Sequence, residues 1–174
     1  MSVVEEVVTL RDDILVWPTV TALTTCLCQE LVSSGLPPVC LCAPVPGADV
    51  ALDYVTEDAG MAWVRLAAAF PTLQFPAQAT APSCVTPLAF TLDVGVAYCA
   101  PVPEPDGSPP GLAALFDATR LQLAAMAAAR RAIVCCLGTS ARTAVLGQYT
   151  PYGPAGGVVG GWWTVAVLEE AVRG

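Results

Sequence analysis

The chain has 174 residues, enough for one domain with a sizeable core. Apolar residues make up 55% and charged ones 13%, against roughly 25% charged in an ordinary globular protein, so a surface this poor in charge implies burial by partners. All seven basic residues are Arg, His is absent and the net charge is -8, which excludes His-based triads, lysine Schiff bases, a Walker-type phosphate loop and a basic nucleic-acid face.

The charge is uneven along the chain. Residues 1–58 carry nine acids and only Arg11, a sum of -8; residues 59–174 carry six acids and six Arg, a sum of zero. Two readings stand: a solvated acidic face, or a surface that repels DNA or docks a basic partner. The opening MSVVEEVV is acidic where a secretory leader needs positive charge. Residues 1–16 are amphipathic and short, a strand, a short helix or an arm. Thr19 to Ser34 reads as a helix, with Pro18 in its first turn, Ala22, Leu23, Cys26, Leu27 and Leu31 at helical spacing, and Gly35 at its end. Pro37 and Pro38 force an extended exit. Val39 to Val45 reads as a strand, stopped by Pro44 and Pro46, and Gly47 to Gly60 as an acidic loop with Asp49, Asp53, Glu57 and Asp58.

Met61 to Phe70 alternates, with Val64, Leu66 and Phe70 on one side and Arg65 on the other. A connection punctuated by prolines runs from Pro71 to Pro87. Leu88 to Val102 is the clearest strand. Leu88, Phe90, Leu92, Val94, Val96 and Tyr98 share its bulky face; Ala89, Thr91, Asp93, Gly95, Ala97 and Cys99 share its small face. The bulky face is expected to meet a helix, and the small face solvent or a neighbour. Pro101 to Gly111 is a flexible connection.

Gly111 to Gly138 reads as one long helix of about 26 residues, about 39 Å. Leu112, Leu115, Phe116, Leu123, Met126, Ile133, Val134 and Leu137 form a bulky stripe, expected to face the sheet. Ala114, Leu121, Ala125, Ala128 and Ala132 form a small-residue face, expected to contact another subunit. Thr143 to Tyr149 and Trp162 to Leu168 read as two final strands. Between them TPYGPAGGVVGG is expected to be an irregular, docking loop, with Tyr152, Val158, Val159 and Trp162 as further interface candidates. The order α-β-β-β-α-β-β predicts one α+β domain over residues 1–174, with a mostly antiparallel sheet, the long helix and the N-terminal helix packed on it. Uncharged stretches from Leu66 to Leu92 and Thr143 to Leu168 are broken by Pro or Gly, and Arg130 and Arg131 interrupt the long helix, so no membrane contact is expected and the chain is expected to be soluble.

Little here points to catalysis. The doublets Glu5-Glu6, Asp12-Asp13, Glu57-Asp58 and Glu169-Glu170 diverge on either helix or strand and form no carboxylate dyad by themselves. GPAGGVVGG lacks the G-x-G-x-x-G spacing and leads into a strand, so no nucleotide is expected. Eight cysteines include the pairs Cys26/Cys28 and Cys40/Cys42, adjacent Cys135 and Cys136, and the separate Cys84 and Cys99. In a strand Cys40 and Cys42 share a face about 6.6 Å apart. Zinc sites favour C-x₂₋₄-C spacing, and without a leader disulfides are the less natural choice; buried free thiols are expected, with metal and disulfides as the alternatives. Trp162 and Trp163 begin the last strand and point to opposite faces, one into the core and the other either into the core or toward a partner.

The closing YTPYGPAGGVVGGWWTVAVLEE, after a long Ala-rich helix and an N-terminal helix-strand unit, resembles tail terminator proteins of long-tailed bacteriophages of actinobacteria. The resemblance spans most of the chain in element order, and the glycine-rich run leading to W-T-V-A-V is its most specific part. It implies an α+β structural virion protein, made in the host cytoplasm, that closes into a hexameric ring at the tail-neck junction. That ring would cap the tail tube protein, meet a head-tail stopper or other neck protein, and pass DNA through its lumen without specific binding. It implies no enzyme activity, cofactor or metal. A neighbouring neck or tail component (a head-tail stopper, connector or tail tube protein) is the alternative, and a cysteine-based metal-binding or redox protein a more remote one.

Overall fold

The computed structural model describes residues 16–80, 86–139 and 143–168. The expected N-terminal arm, the doublets Glu5-Glu6, Asp12-Asp13 and Glu169-Glu170, and Cys84 lie outside the described residues.

Helix α1 (Val16–Ser33) is followed by strands β1 (Val39–Pro44), β2 (Gly60–Pro71) and β3 (Leu88–Cys99), helix α2 (Leu112–Thr139), and strands β4 (Ala144–Tyr152) and β5 (Val158–Leu168). The order is the expected α-β-β-β-α-β-β. The five strands form one sheet in the order β1-β2-β3-β5-β4. β1 runs parallel to β2, and every other pairing is antiparallel. β3 sits at the centre because its alternation suits a strand covered on both faces. Phe90, Leu92, Val94, Val96 and Tyr98 face both helices, in one core with Leu23, Leu27, Ala128, Ile133, Val165 and Val167. Tyr98 also donates its hydroxyl to the Pro37 carbonyl at 3.2 Å, and burial pushes its pKa up to about 12.

The small face of β3 does not meet solvent. Ala89, Asp93 and Ala97 are buried. Trp63 of β2 lies over Gly95 so closely that a Cβ there would fall 2.2 Å from the indole ring. Met61, Trp63 and Ala97 form a second cluster, covered by Val45, Val50, Leu52 and Val55 from the loop after β1. A strand with one bulky and one small face can thus be buried twice, because the small face accepts a tryptophan from the next strand.

The orientation of α2 corrects the expected one: of the bulky stripe only Ile133 and Leu137 are buried and Met126 half-buried, and the alanine face turns inward. Ala125, Ala128, Ala129 and Ala132 are buried within the chain, together with Ile133 and Leu137. Leu112, Leu115, Phe116, Leu123 and Val134 are exposed. The physical reason is close approach: α1 presents Leu23, Leu27 and Leu31 to the same core, and alanines on α2 let two helix backbones come together over the sheet. Arg131 donates from Nε to Glu30 at 2.7 Å and from Nη2 to the Ser34 hydroxyl at 2.8 Å, which fastens the end of α1 to α2. The Arg131 contact holds the Glu30 carboxyl below the usual carboxylate value.

The thiol expectation is corrected as well. Cys26 is bonded to Cys136, tying α1 to α2, and Cys28 to Cys42, tying α1 to β1. The Cα–Cα separations are 6.2 and 6.0 Å, within the span a bridge requires. Cys40, Cys99 and Cys135 are thiols. Cys40 and Cys42 do not share a face. The pairing of β1 with β2 slips between Val39 and Leu41; such a bulge re-aims the extra residue, and the Cys40 thiol meets the Tyr54 carbonyl at 2.9 Å while Cys42 turns to α1.

Candidate assembly surface

Two hydrogen bonds mark where α2 leaves the sheet. The Trp163 indole donates to the Met126 carbonyl at 2.9 Å, and the Gln122 amide donates to the Gly160 carbonyl at 2.7 Å. Tyr149 stacks at a tilt on Trp163 with ring centroids 5.4 Å apart; burial raises its pKa, and the Gln122 contact offsets part of that rise. Before Gln122 the helix stands proud. Leu112 is 75% exposed and Phe116 68%, and Leu123, just past Gln122, 53%; their spacing sets them on one stripe about three turns long. Ala114 is exposed beside them, whereas Leu121 is half-buried against the core. Of the helix positions expected at an interface, Ala125, Ala128 and Ala132 belong to the subunit's own core, and only Ala114 lies on the open surface.

Beneath the proud half of α2 runs a groove of about 650 Å³, whose walls include Val102, Pro103, Leu115, Thr119, Pro154 and Val159. Its floor is the β4–β5 connection. The stretch TPYGPAGGVVGG is not the irregular excursion expected. β4 continues to Tyr152, a tight turn occupies Ala155–Gly157, and β5 begins at Val158. The glycines are there for close approach. A Cβ at Gly160 would lie 2.2 Å from the Val96 carbonyl, and one at Gly153, where φ is +94°, 2.1 Å from that of Val158. The Ala100 amide donates to the Gly157 carbonyl at 2.7 Å and fixes the turn to the end of β3. Val158 packs on the Met61/Trp63/Ala97 cluster, and so does Trp162. Trp162 and Trp163 do point to opposite faces, and both are partly covered by their own chain.

No family model matches the chain, and no curated protein matches it.

A feature the sequence reading passed over crosses the other face of the sheet. Arg65, Asp93 and Thr164 are register partners on β2, β3 and β5. Asp93 Oδ2 accepts from Arg65 Nε at 3.0 Å and Nη2 at 2.7 Å, and Asp93 Oδ1 accepts from the Thr164 hydroxyl at 3.0 Å. Arg65 Nη1 also donates to the carbonyls of Gly47 and Ala48, so the row clamps the acidic loop onto the sheet. The signal was present: Asp93 is the one charge in an otherwise apolar strand. Beside the clamp lies a pocket of about 340 Å³, walled by Trp63, Arg65, Tyr152 and Trp162 and rimmed by Asp49. Glu57 and Asp58 are exposed in the same loop.

Among the described residues no group of three or more His, Cys, Asp or Glu side chains is placed to hold a metal ion. By length and composition α2 could cross a membrane, Arg130 and Arg131 notwithstanding. Its second half packs against α1 and the sheet, while the apolar side chains of its first half stand exposed.

Proposed function

We propose that the chain is a structural virion subunit, a tail terminator that closes into a ring, caps the tail tube and joins it to the neck. The observation that carries the reading is the uncovered stripe of Leu112, Leu115, Phe116 and Leu123, an apolar surface that a lone subunit would hold against water. A ring needs a heterologous contact, in which two different surfaces of one subunit meet across each interface. The chain offers a second apolar surface for that purpose, a groove of about 630 Å³ lined by Trp17, Val20, Pro44, Val45, Val64 and Leu66. It lies at the β1–β2 end of the sheet, formed by elements other than those that carry the stripe. The likeness to tail terminators supplies the place of the ring in the particle, the six-fold number, and DNA passing through the lumen without sequence-specific contacts. No catalytic role and no cofactor are part of the proposal.

The test is the oligomeric state of the purified protein by mass photometry and negative-stain imaging. Wild-type protein is expected to form closed rings, and Phe116→Glu to give folded monomers with an unchanged circular dichroism spectrum. Wild-type monomers at tens of micromolar would sink the reading, as would rings that survive Phe116→Glu with Leu112→Glu. Long tubes instead of closed rings would favour the alternative, a tail tube protein.

A further inference from the structure

We propose that residues 1–15 of the same chain occupy the apolar groove at the β1–β2 end of the sheet and keep it closed to a neighbouring subunit until a ring forms. The docking stands on the groove and the sequence; its role as a gate rests on the proposed ring.

The groove, of about 630 Å³, includes Val16, the first residue of α1. Val20 and Val64 form its buried floor, and Trp17 and Leu66, 48% and 45% exposed, form its walls. None of the residues that line it is charged. A further side is made by Pro44, Val45 and Pro46. Neither proline has an N–H, and the Val45 N–H donates to the Val64 carbonyl at 3.0 Å. That side offers no donor to an added strand, so an occupant is held by its side chains rather than by strand pairing.

Residues 1–15 lie outside the described residues and join the chain at Val16, itself on the groove. In their sequence Val3, Val4, Val7 and Val8 share one face at helical spacing, and Glu5 and Glu6 the opposite one. That is the pattern of a segment that packs by an apolar stripe. Asp12 and Asp13 are of the type that begins a helix, which separates the valine unit from α1. Residues 9–13 can span about 17 Å when extended, enough for the valines to turn back over a groove that starts at Val16. A segment tethered this closely acts at an effective concentration on the order of 1 mM. A dissociation constant of about 100 μM in trans then leaves the groove about nine-tenths filled, and a neighbour meets it with about tenfold reduced affinity.

The docking is read by photo-cross-linking in the full-length chain, with benzoylphenylalanine in place of Val7 and the products mapped by mass spectrometry. Mixing unlabelled and isotope-labelled subunits separates links within a chain from links between copies. Links to Trp17, Pro46 or Leu66 of the same chain are expected. Leu66→Glu, at a half-exposed position, should cut their yield at least tenfold with an unchanged circular dichroism spectrum. Links to the groove of another copy, links elsewhere, or an unchanged yield in Leu66→Glu would each overturn the docking. The gate is read by mass photometry. Val4→Glu with Val8→Glu, in the full-length chain, should form rings at about a tenfold lower concentration than wild type. Rings at an equal or higher concentration would overturn the gate. Rings from neither protein would overturn the ring reading and the gate with it, while the cross-links decide the docking independently.

Discussion

Removing the Asp93 carboxylate should be among the most damaging single changes in the sheet. Its side chain is 5% exposed and that of Arg65 16%, so neither charge is solvated well enough to stand alone. Breaking a buried pair by deleting one partner costs about 3–5 kcal/mol. Arg65 would keep its bonds to Gly47 and Ala48, which places Asp93→Ala near the lower end, about 3 kcal/mol. Thr164→Val, which removes one hydrogen bond to the same carboxylate, should cost about 1 kcal/mol. With a urea slope of about 2 kcal/mol per molar, Asp93→Ala should lower the unfolding midpoint by about 1.5 M. The assay is urea unfolding followed by tryptophan fluorescence with the disulfides intact. The double variant Arg65→Met with Asp93→Leu should be less destabilised than the sum of its single changes, because no charge is left buried. A midpoint shift below about 0.3 M for Asp93→Ala, or strict additivity in the cycle, would refute the account.

Four further outcomes can be checked directly. With four of the eight cysteines in bridges, denatured unreduced protein should expose at most four reactive thiols; a count of eight refutes both bridges. Loss of the Cys28–Cys42 bridge alone, with its separation of 14 residues, should cost about 3 kcal/mol, read as a lower midpoint for Cys28→Ala with Cys42→Ala. Gly160→Ala places a methyl 2.2 Å from the Val96 carbonyl and should cost about 1–3 kcal/mol, whereas Gly111→Ala, with open space around its Cβ, should leave the melting temperature unchanged. In alkali, the folded Tyr98 keeps its proton to about pH 12 while the unfolded chain loses it from about pH 10. Stability should fall with rising pH across that window, and Tyr98→Phe should flatten the fall.

The order of elements was legible because local signals and tertiary packing agreed. The alternation from Leu88 to Tyr98 and the prolines and glycines around each segment marked strands and helices close to where they lie. The facing of α2 was not legible. Hydrophobic size suggested that the Leu and Phe stripe was core, yet the space between α1 and the sheet admits only alanine at Ala125, Ala128 and Ala132. Size predicts burial poorly where two helices must approach closely. The glycines before Trp162 misled for a similar reason: they read as irregular chain, and they allow β5 to lie against Val96 and Tyr149. The pairing of Cys26 with Cys136 depends on helix packing that spacing along the chain cannot show. At the candidate surfaces, Tyr152, Val158, Val159 and Trp162 were singled out as a loop, whereas the hairpin sends Val159 to the groove under α2, Tyr152 and Trp162 to the pocket beside Arg65, and Val158 onto the Met61/Trp63/Ala97 cluster.

The Cys26–Cys136 bond spans a sequence separation of 110 and turns the chain into a covalent lasso closed around β1, β2, β3 and most of α2. One protease cut in the connection between β3 and α2 would leave a single molecule on a non-reducing gel and two fragments after reduction. The lasso also reroutes force. A pull between the first residues and the last would run along the start of α1, through the sulfur bridge, and out by the end of α2 and the β4–β5 hairpin. β1, β2 and β3 would sit in a closed loop outside that covalent path, loaded only through the pairing of β3 with β5.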